Sequence, residues 1–109
     1  MIVIPCTPNG QARWTQRTTL AGREYVLTFD WSQRDGKWSL DLADQDGSMI
    51  RAGVPLVSNV PLLRLVRDAR RPPGELFIFD TEDLAEDPAF DDLGTRFTLA
   101  YIAPEEFPT

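Results

Sequence analysis

Tyr25-Val26-Leu27-Thr28-Phe29-Asp30-Trp31 is the stretch that decides the fold class. Large apolar side chains stand at every second position with smaller or polar ones between them, which is the period of a strand with one buried face. Upstream, Thr15 to Leu20 is rich in threonine and ends at Ala21-Gly22, so Thr15 to Trp31 reads as a hairpin turning near Gly22. Downstream, Trp38-Ser39-Leu40-Asp41-Leu42 repeats the alternation. The connection Gln33-Arg34-Asp35-Gly36-Lys37 contains an Asp-Gly pair, which supplies the positive φ angles that tight hairpin turns require. A third turn at Asp46-Gly47 returns the chain through Ser48 to Ala52. The region up to Gly53 is therefore expected to be a meander of antiparallel strands.

Beyond Gly53 the pattern loosens. Pro55, Pro61, Pro72 and Pro73 each lack a backbone donor, which argues against a central strand or a long helix across this span. Leu62, Leu63, Leu65 and Val66 fit either one helical turn or a short edge strand. Leu76-Phe77-Ile78-Phe79, bounded by Gly74 and Asp80, is a continuous apolar run of the kind expected for a strand buried on both faces. Residues 80–92 hold seven acids and read as an exposed acidic loop, with room for a turn of helix near Asp83 to Glu86. Arg96 to Ile102 is the last strand, with Phe97, Leu99 and Tyr101 on one face, and residues 104–109 form a flexible tail that frays or docks on a neighbour. The expectation is an all-β chain, a single β domain over residues 1–109. It would be an antiparallel β-sandwich or partly closed β-barrel of about seven or eight short strands, with one short helix at most.

Composition narrows the function classes. At 109 residues the chain fits one core, and its 42% hydrophobic and 26% charged content is ordinary for a folded globular protein. No apolar run approaches the roughly 18 residues that span a bilayer, and Met1-Ile2-Val3-Ile4-Pro5 lacks the basic region of a signal peptide. Cys6, the single cysteine, has no intramolecular disulfide partner, which is consistent with folding in a reducing cytoplasm. Residues 1–74 carry ten basic and seven acidic groups (+3) and residues 75–109 one basic and ten acidic (−9), giving the net −6. This balance repels phosphate, so neither direct nucleic-acid binding nor attraction to an anionic membrane is expected. The local cluster Arg64, Arg67, Arg70 and Arg71 reads as a solvated or subunit-facing surface.

Catalytic equipment is sparse. The absence of histidine, with one cysteine, removes Ser-His-Asp and Cys-His nucleophiles together with His- and Cys-rich zinc sites. Lys37 lies beside a polar turn, and glycine spacing forms neither a phosphate-binding loop nor a dinucleotide fingerprint. A glycosidase needs only two carboxylates about 5 to 9.5 Å apart, for which Glu75, Asp80, Glu82, Asp91 and Asp92 are the candidates. Asp44-Gln45-Asp46-Gly47-Ser48 resembles part of a calcium loop, but aligning Gly47 with the loop's glycine puts Leu42 and Gly53 where carboxylates are required. An irregular calcium site could draw only on Asp80, Asp83, Asp87, Asp91 or Asp92. The expectation is no catalytic residue, no metal and no cofactor. Tyr25, Trp31 and Trp38 alternate in phase with the apolar face and are placed in the core, whereas Trp14, among Arg13, Gln16 and Arg17, is a candidate surface anchor for a partner.

Several segments occur in a recognisable order: Ile2-Val3-Ile4-Pro5 with Pro8-Asn9, the strand ending in Trp31, Trp38-Ser39-Leu40-Asp41-Leu42, Gly53-Val54-Pro55-Leu56-Val57 and Asp91-Asp92-Leu93-Gly94-Thr95-Arg96. Over nearly its whole length the chain resembles the baseplate plug family of contractile-tailed bacteriophages, as in cyanophage baseplates. The resemblance implies a structural virion protein without enzymatic activity, synthesised in the bacterial host cytoplasm and built into the tail baseplate. Its partners would be hub and spike proteins at the centre of the baseplate, met by multiple symmetric copies. Carried over by residue, Val54, Pro55 and Leu56 after Gly53, and Asp92 and Arg96 around Gly94, become candidate interface positions alongside Trp14. Residues 67–73 depart from the family in being basic rather than apolar. The competing expectation is a carbohydrate- or protein-binding β-domain, such as a host-receptor module, which would need Trp14, Trp31 or Trp38 exposed as a stacking surface.

Overall fold

The structure is a computed structural model that describes residues 2–6, 11–58, 60–64, 66–81, 93 and 96–104. Seven strands follow in order: β1 (Ile2–Ile4), β2 (Arg13–Leu20), β3 (Arg23–Ser32), β4 (Lys37–Asp44), β5 (Met49–Pro55), β6 (Glu75–Asp80) and β7 (Phe97–Ile102). They form two antiparallel sheets, a four-stranded meander β2-β3-β4-β5 and a three-stranded sheet β1-β7-β6. The architecture is thus sandwich-like and not a closed barrel, and no helix occurs among the described residues.

The meander follows from local chemistry. Leu20 pairs with Arg23, leaving a two-residue loop in which Ala21 and Gly22 have φ of 53° and 79°. Both central residues at positive φ is the turn whose twist matches the flanking strands. The next two turns place Gly36 at φ 64° and Gly47 at φ 84°, as the Asp-Gly pairs require. Asp44 closes the third turn by accepting hydrogen bonds at Oδ1 from the backbone N–H groups of Asp46 (3.0 Å) and Ser48 (2.9 Å).

The inner faces meet in one core. Tyr25, Leu27 and Phe29 of β3 and Trp38, Leu40 and Leu42 of β4 are buried with Ile4 of β1, Leu76 and Ile78 of β6, and Phe97, Leu99 and Tyr101 of β7. Burying one Leu or Phe side chain stabilises the fold by roughly 1.5–3 kcal/mol, so this shared interior is the principal favourable contribution. Trp14 and Trp31, half-buried, pack against it.

Two expectations need correcting. The Leu76-Phe77-Ile78-Phe79 strand is fully buried on one face only. Leu76 and Ile78 point inward, whereas Phe77 and Phe79 are half-buried on the other face and stack with ring centroids 6.0 Å apart. An apolar run cannot by itself distinguish a strand buried on both faces from an edge strand with an aromatic outer face. The second correction concerns Arg70 and Arg71, only part-exposed where Arg64 and Arg67 are exposed: besides facing solvent, their side chains hold the irregular segment before β6 in place, as described below. Leu62 to Arg64 form a turn, neither helix nor strand. The acidic loop and the tail fall mostly outside the described residues.

Candidate partner-docking surface

Val54, Pro55 and Leu56 owe their positions to an irregularity in β5. Leu40 pairs with Val54 and Leu42 with Arg51, so Ala52 and Gly53 together face Asp41 across a bulge. Gly53 takes φ 70°, and its N–H donates to Asp41 Oδ1 at 2.8 Å. The bulge re-aims the chain. Val54 and Leu56 turn inward and are buried, Pro55 stays exposed, and the Leu56 N–H donates to the Trp38 carbonyl at 3.0 Å. Proline is tolerated here because β5 is an edge strand.

Beside this bulge runs a groove of about 170 Å³. Val54, Leu62 and Val66 form its buried floor, Val57, Val60 and Pro61 its half-buried walls, and the exposed Arg51 and Arg64 stand at its rim. Neither arginine has an ion-pair partner among the described residues. The groove is smaller than the roughly 300 Å³ at which small-molecule sites begin, so a single side chain suits it better than a cofactor.

The segment that supplies the groove's far wall is pinned by two arginines. Arg71 donates to the carbonyls of Leu63 (2.5 Å), Val66 (3.3 Å), Pro72 (3.0 Å) and Gly74 (2.6 Å). Below it the buried Glu75 carboxylate accepts from the N–H groups of Leu63 (2.5 Å) and Leu76 (3.0 Å) and lies 3.8 Å from Arg71. Arg70 reaches across to the meander, bonding Asp44 (3.1 Å), Ser48 Oγ (2.9 Å), the Met49 carbonyl (2.9 Å) and Asp68 (2.7 Å). Hydrogen bonds from the Arg70 side chain and backbone hold the Asp68 carboxyl down at about 2, and those bonds with Asp68 and Asp44 push the Arg70 guanidinium upward. In place of helix or strand hydrogen bonds, guanidinium forks satisfy the carbonyls of a proline-broken loop.

Arg96 is held just as firmly. Its Nε and Nη2 donate to Asp80 Oδ1 and Oδ2 at 2.9 and 2.8 Å, and its guanidinium lies 4.9 Å from the Phe97 ring centroid. The Asp80 side chain is 1% exposed and that of Arg96 19%. Trp14 stacks on Phe29 (4.6 Å between centroids, 14°), meets Trp38 edge-on at 5.2 Å, and donates from Nε1 to Gln16 Oε1 at 2.9 Å. Gln16 in turn donates to the Pro5 carbonyl at 2.9 Å, tying β2 to the segment after β1. The candidate residues therefore do not converge. Val54, Pro55 and Leu56 belong to the groove, Trp14 to an aromatic cluster and Arg96 to an internal ion pair, while Asp92 lies outside the described residues. Sequence reasoning missed Arg51, whose only signal was that no acid flanks it, and placed Arg64 in a basic cluster with Arg67, Arg70 and Arg71 without linking it to Val54.

The carboxylates weighed for glycan cleavage are also accounted for where they are described. Glu75 and Asp80 are five residues apart on β6, which puts them on opposite faces and roughly 16 Å apart along the strand. Such a pair cannot flank one glycosidic bond. Burial pushes the Cys6 thiol up to about 12, so at neutral pH it is a protonated core group.

The sequence profile of a family described as "Cyanophage baseplate Pam3 plug gp18" matches residues 1–105. The chain belongs to this baseplate plug family. The match takes in all seven strands, the groove and both arginine clamps, so the plug family's baseplate role attaches to the whole folded body rather than to one motif. A virion tail location goes with membership, and no helix among the described residues is long and apolar enough to cross a membrane. A search of curated proteins finds no significant match.

Proposed function

We propose that this protein is a structural plug of a contractile tail baseplate, packed with hub and spike proteins at the centre of the assembly and present in several symmetric copies. The match of the plug family over residues 1–105 carries this reading. The use of polar groups supports it: Glu75, Asp80, Arg70, Arg71 and Arg96 are taken up in holding the fold, which leaves surface contact rather than bond-breaking as the chain's contribution. It acts without catalysis, through residues 1–109 as a single β domain, and is made in the host cytoplasm before incorporation. The host-receptor alternative is less well supported, because Trp38 is buried, Trp14 and Trp31 are half-buried against the core, and Trp14 has one ring face stacked on Phe29.

Mass spectrometry of purified phage tails tests the proposal. The chain is expected in a fixed small copy number relative to the hub protein, and a deletion should yield particles with defective baseplates. Complete tails that lack the chain would overturn it.

A further inference from the structure

The groove beside the β5 bulge has an apolar floor and a cationic rim, and the chain itself contains a segment of matching chemistry. Glu105-Glu106-Phe107-Pro108-Thr109 joins two adjacent acids to one aromatic ring. We propose that the groove formed by Val54, Val57, Val60, Leu62 and Val66 receives Phe107 of a second copy of this chain, with Glu105 and Glu106 of that copy meeting Arg51 and Arg64. The inference deepens the assembly role and rests on that reading only in expecting copies to meet.

Three observations support this occupant. A cavity of about 150 Å³ accepts a benzene ring, and the groove's volume of about 170 Å³ suits one phenyl group with little room to spare. The charges are complementary: exposed Arg51 and Arg64 line an apolar slot without an ion-pair partner among the described residues, and the tail that would meet them carries two adjacent acids. Pro104, two residues past β7, is exposed, so the Glu105 to Thr109 segment starts from the surface of the body. Groove and tail are different surfaces of one chain, so the contact is head-to-tail. Repeated with a rotation that closes, such a contact builds a ring.

Sedimentation analysis of the intact purified chain tests this. Self-association is expected and should weaken about tenfold or more in Phe107→Ala, a change of about 1.4 kcal/mol or more. The same loss is expected in the double variant Arg51→Glu/Arg64→Glu, whose exposed positions leave the fold intact by circular dichroism. Mixing that variant with Glu105→Arg/Glu106→Arg should restore association that neither shows alone. A chain that stays monomeric, association indifferent to these substitutions, or mixing without restoration would each overturn the proposal. Thermal destabilisation of a monomer by Phe107→Ala would instead place the tail in its own groove, also against it. None of these failures bears on whether the chain is found in purified tails.

Discussion

Arg96 offers the sharpest separation between a contact residue and a structural one. If it served a partner, its replacement would spare the isolated chain and harm only assembly. The geometry says otherwise. Two charge-assisted hydrogen bonds of 2.9 and 2.8 Å join it to an Asp80 side chain that is 1% exposed. Removing one member of a buried pair leaves an uncompensated charge and costs about 3–5 kcal/mol, a large part of the 5–15 kcal/mol typical of a whole domain. Arg96→Ala is therefore expected to lower urea-unfolding stability by about 3 kcal/mol or more, discounted somewhat because the guanidinium is partly exposed. The paired replacement Arg96→Met/Asp80→Leu removes both charges and should recover most of that loss, since an apolar pair of similar volume is often neutral. A double-mutant cycle with Asp80→Ala measures the coupling directly. An Arg96→Ala loss below about 1 kcal/mol, in the range of an exposed pair, would refute the reasoning and return Arg96 to the list of partner contacts.

Other outcomes follow from the same geometry. Ala21 holds φ 53° in a turn that suits Asn-Gly, so Ala21→Asn should stabilise the chain by about 0.5–1 kcal/mol in thermal melts. Arg71→Ala should cost about 2–4 kcal/mol by chemical denaturation, because four loop carbonyls lose their donor, and Arg71→Lys should recover only part of this, since an ammonium lacks the planar fork. The Asp68 carboxyl sits at about 2 instead of its ordinary 3.8, so its stabilising bond with Arg70 is fully present above about pH 4 and is lost as pH falls towards 2. Tyr25, whose hydroxyl donates to the Arg70 carbonyl at 3.0 Å, should report that loss in near-ultraviolet circular dichroism, and the step should be missing in Asp68→Asn.

The β2 to β5 meander was legible because its determinants are local. Period-two alternation sets each strand, and Gly22, Gly36 and Gly47 set each turn. The Ala21 turn shows where that stops: alanine disfavours positive φ, yet the two-residue loop between Leu20 and Arg23 imposes it. Which strands share which sheet was not legible, because β1 pairs with β7 across almost the entire chain and Ile2-Val3-Ile4 has no local mark of its partner. The arginine clamps were hidden for a related reason. Arg70 and Arg71 look like surface charges in a linear reading, and only the path of the loop brings carbonyls from Leu63 to Gly74 around one guanidinium. Of the candidate interface, Gly53 read as a position of unusual backbone angle, but neither the bulge nor the groove was legible, because the groove needs Val60, Pro61, Leu62 and Val66 folded against β5.

Net charge alone would suggest that copies of this chain repel one another, since each carries −6. That argument holds at separations well beyond contact, and at physiological salt it is screened over about 8 Å. At contact, the placement of charge matters more than its sum. Arg13 and Arg17 pair with Asp30 and Glu24 on the meander's outer face, and Arg70, Arg71 and Arg96 are held by the fold, so these cations add little to the field that an approaching partner meets. Arg51 and Arg64 remain exposed beside the apolar slot, whereas the exposed cations Arg23, Arg34, Lys37 and Arg67 do not line it. Under the proposed contact, this cationic apolar notch lets an acidic protein avoid indiscriminate association yet take a ligand that is both acidic and aromatic. For a component that must enter a crowded assembly at one position, that selectivity is of more use than overall attraction.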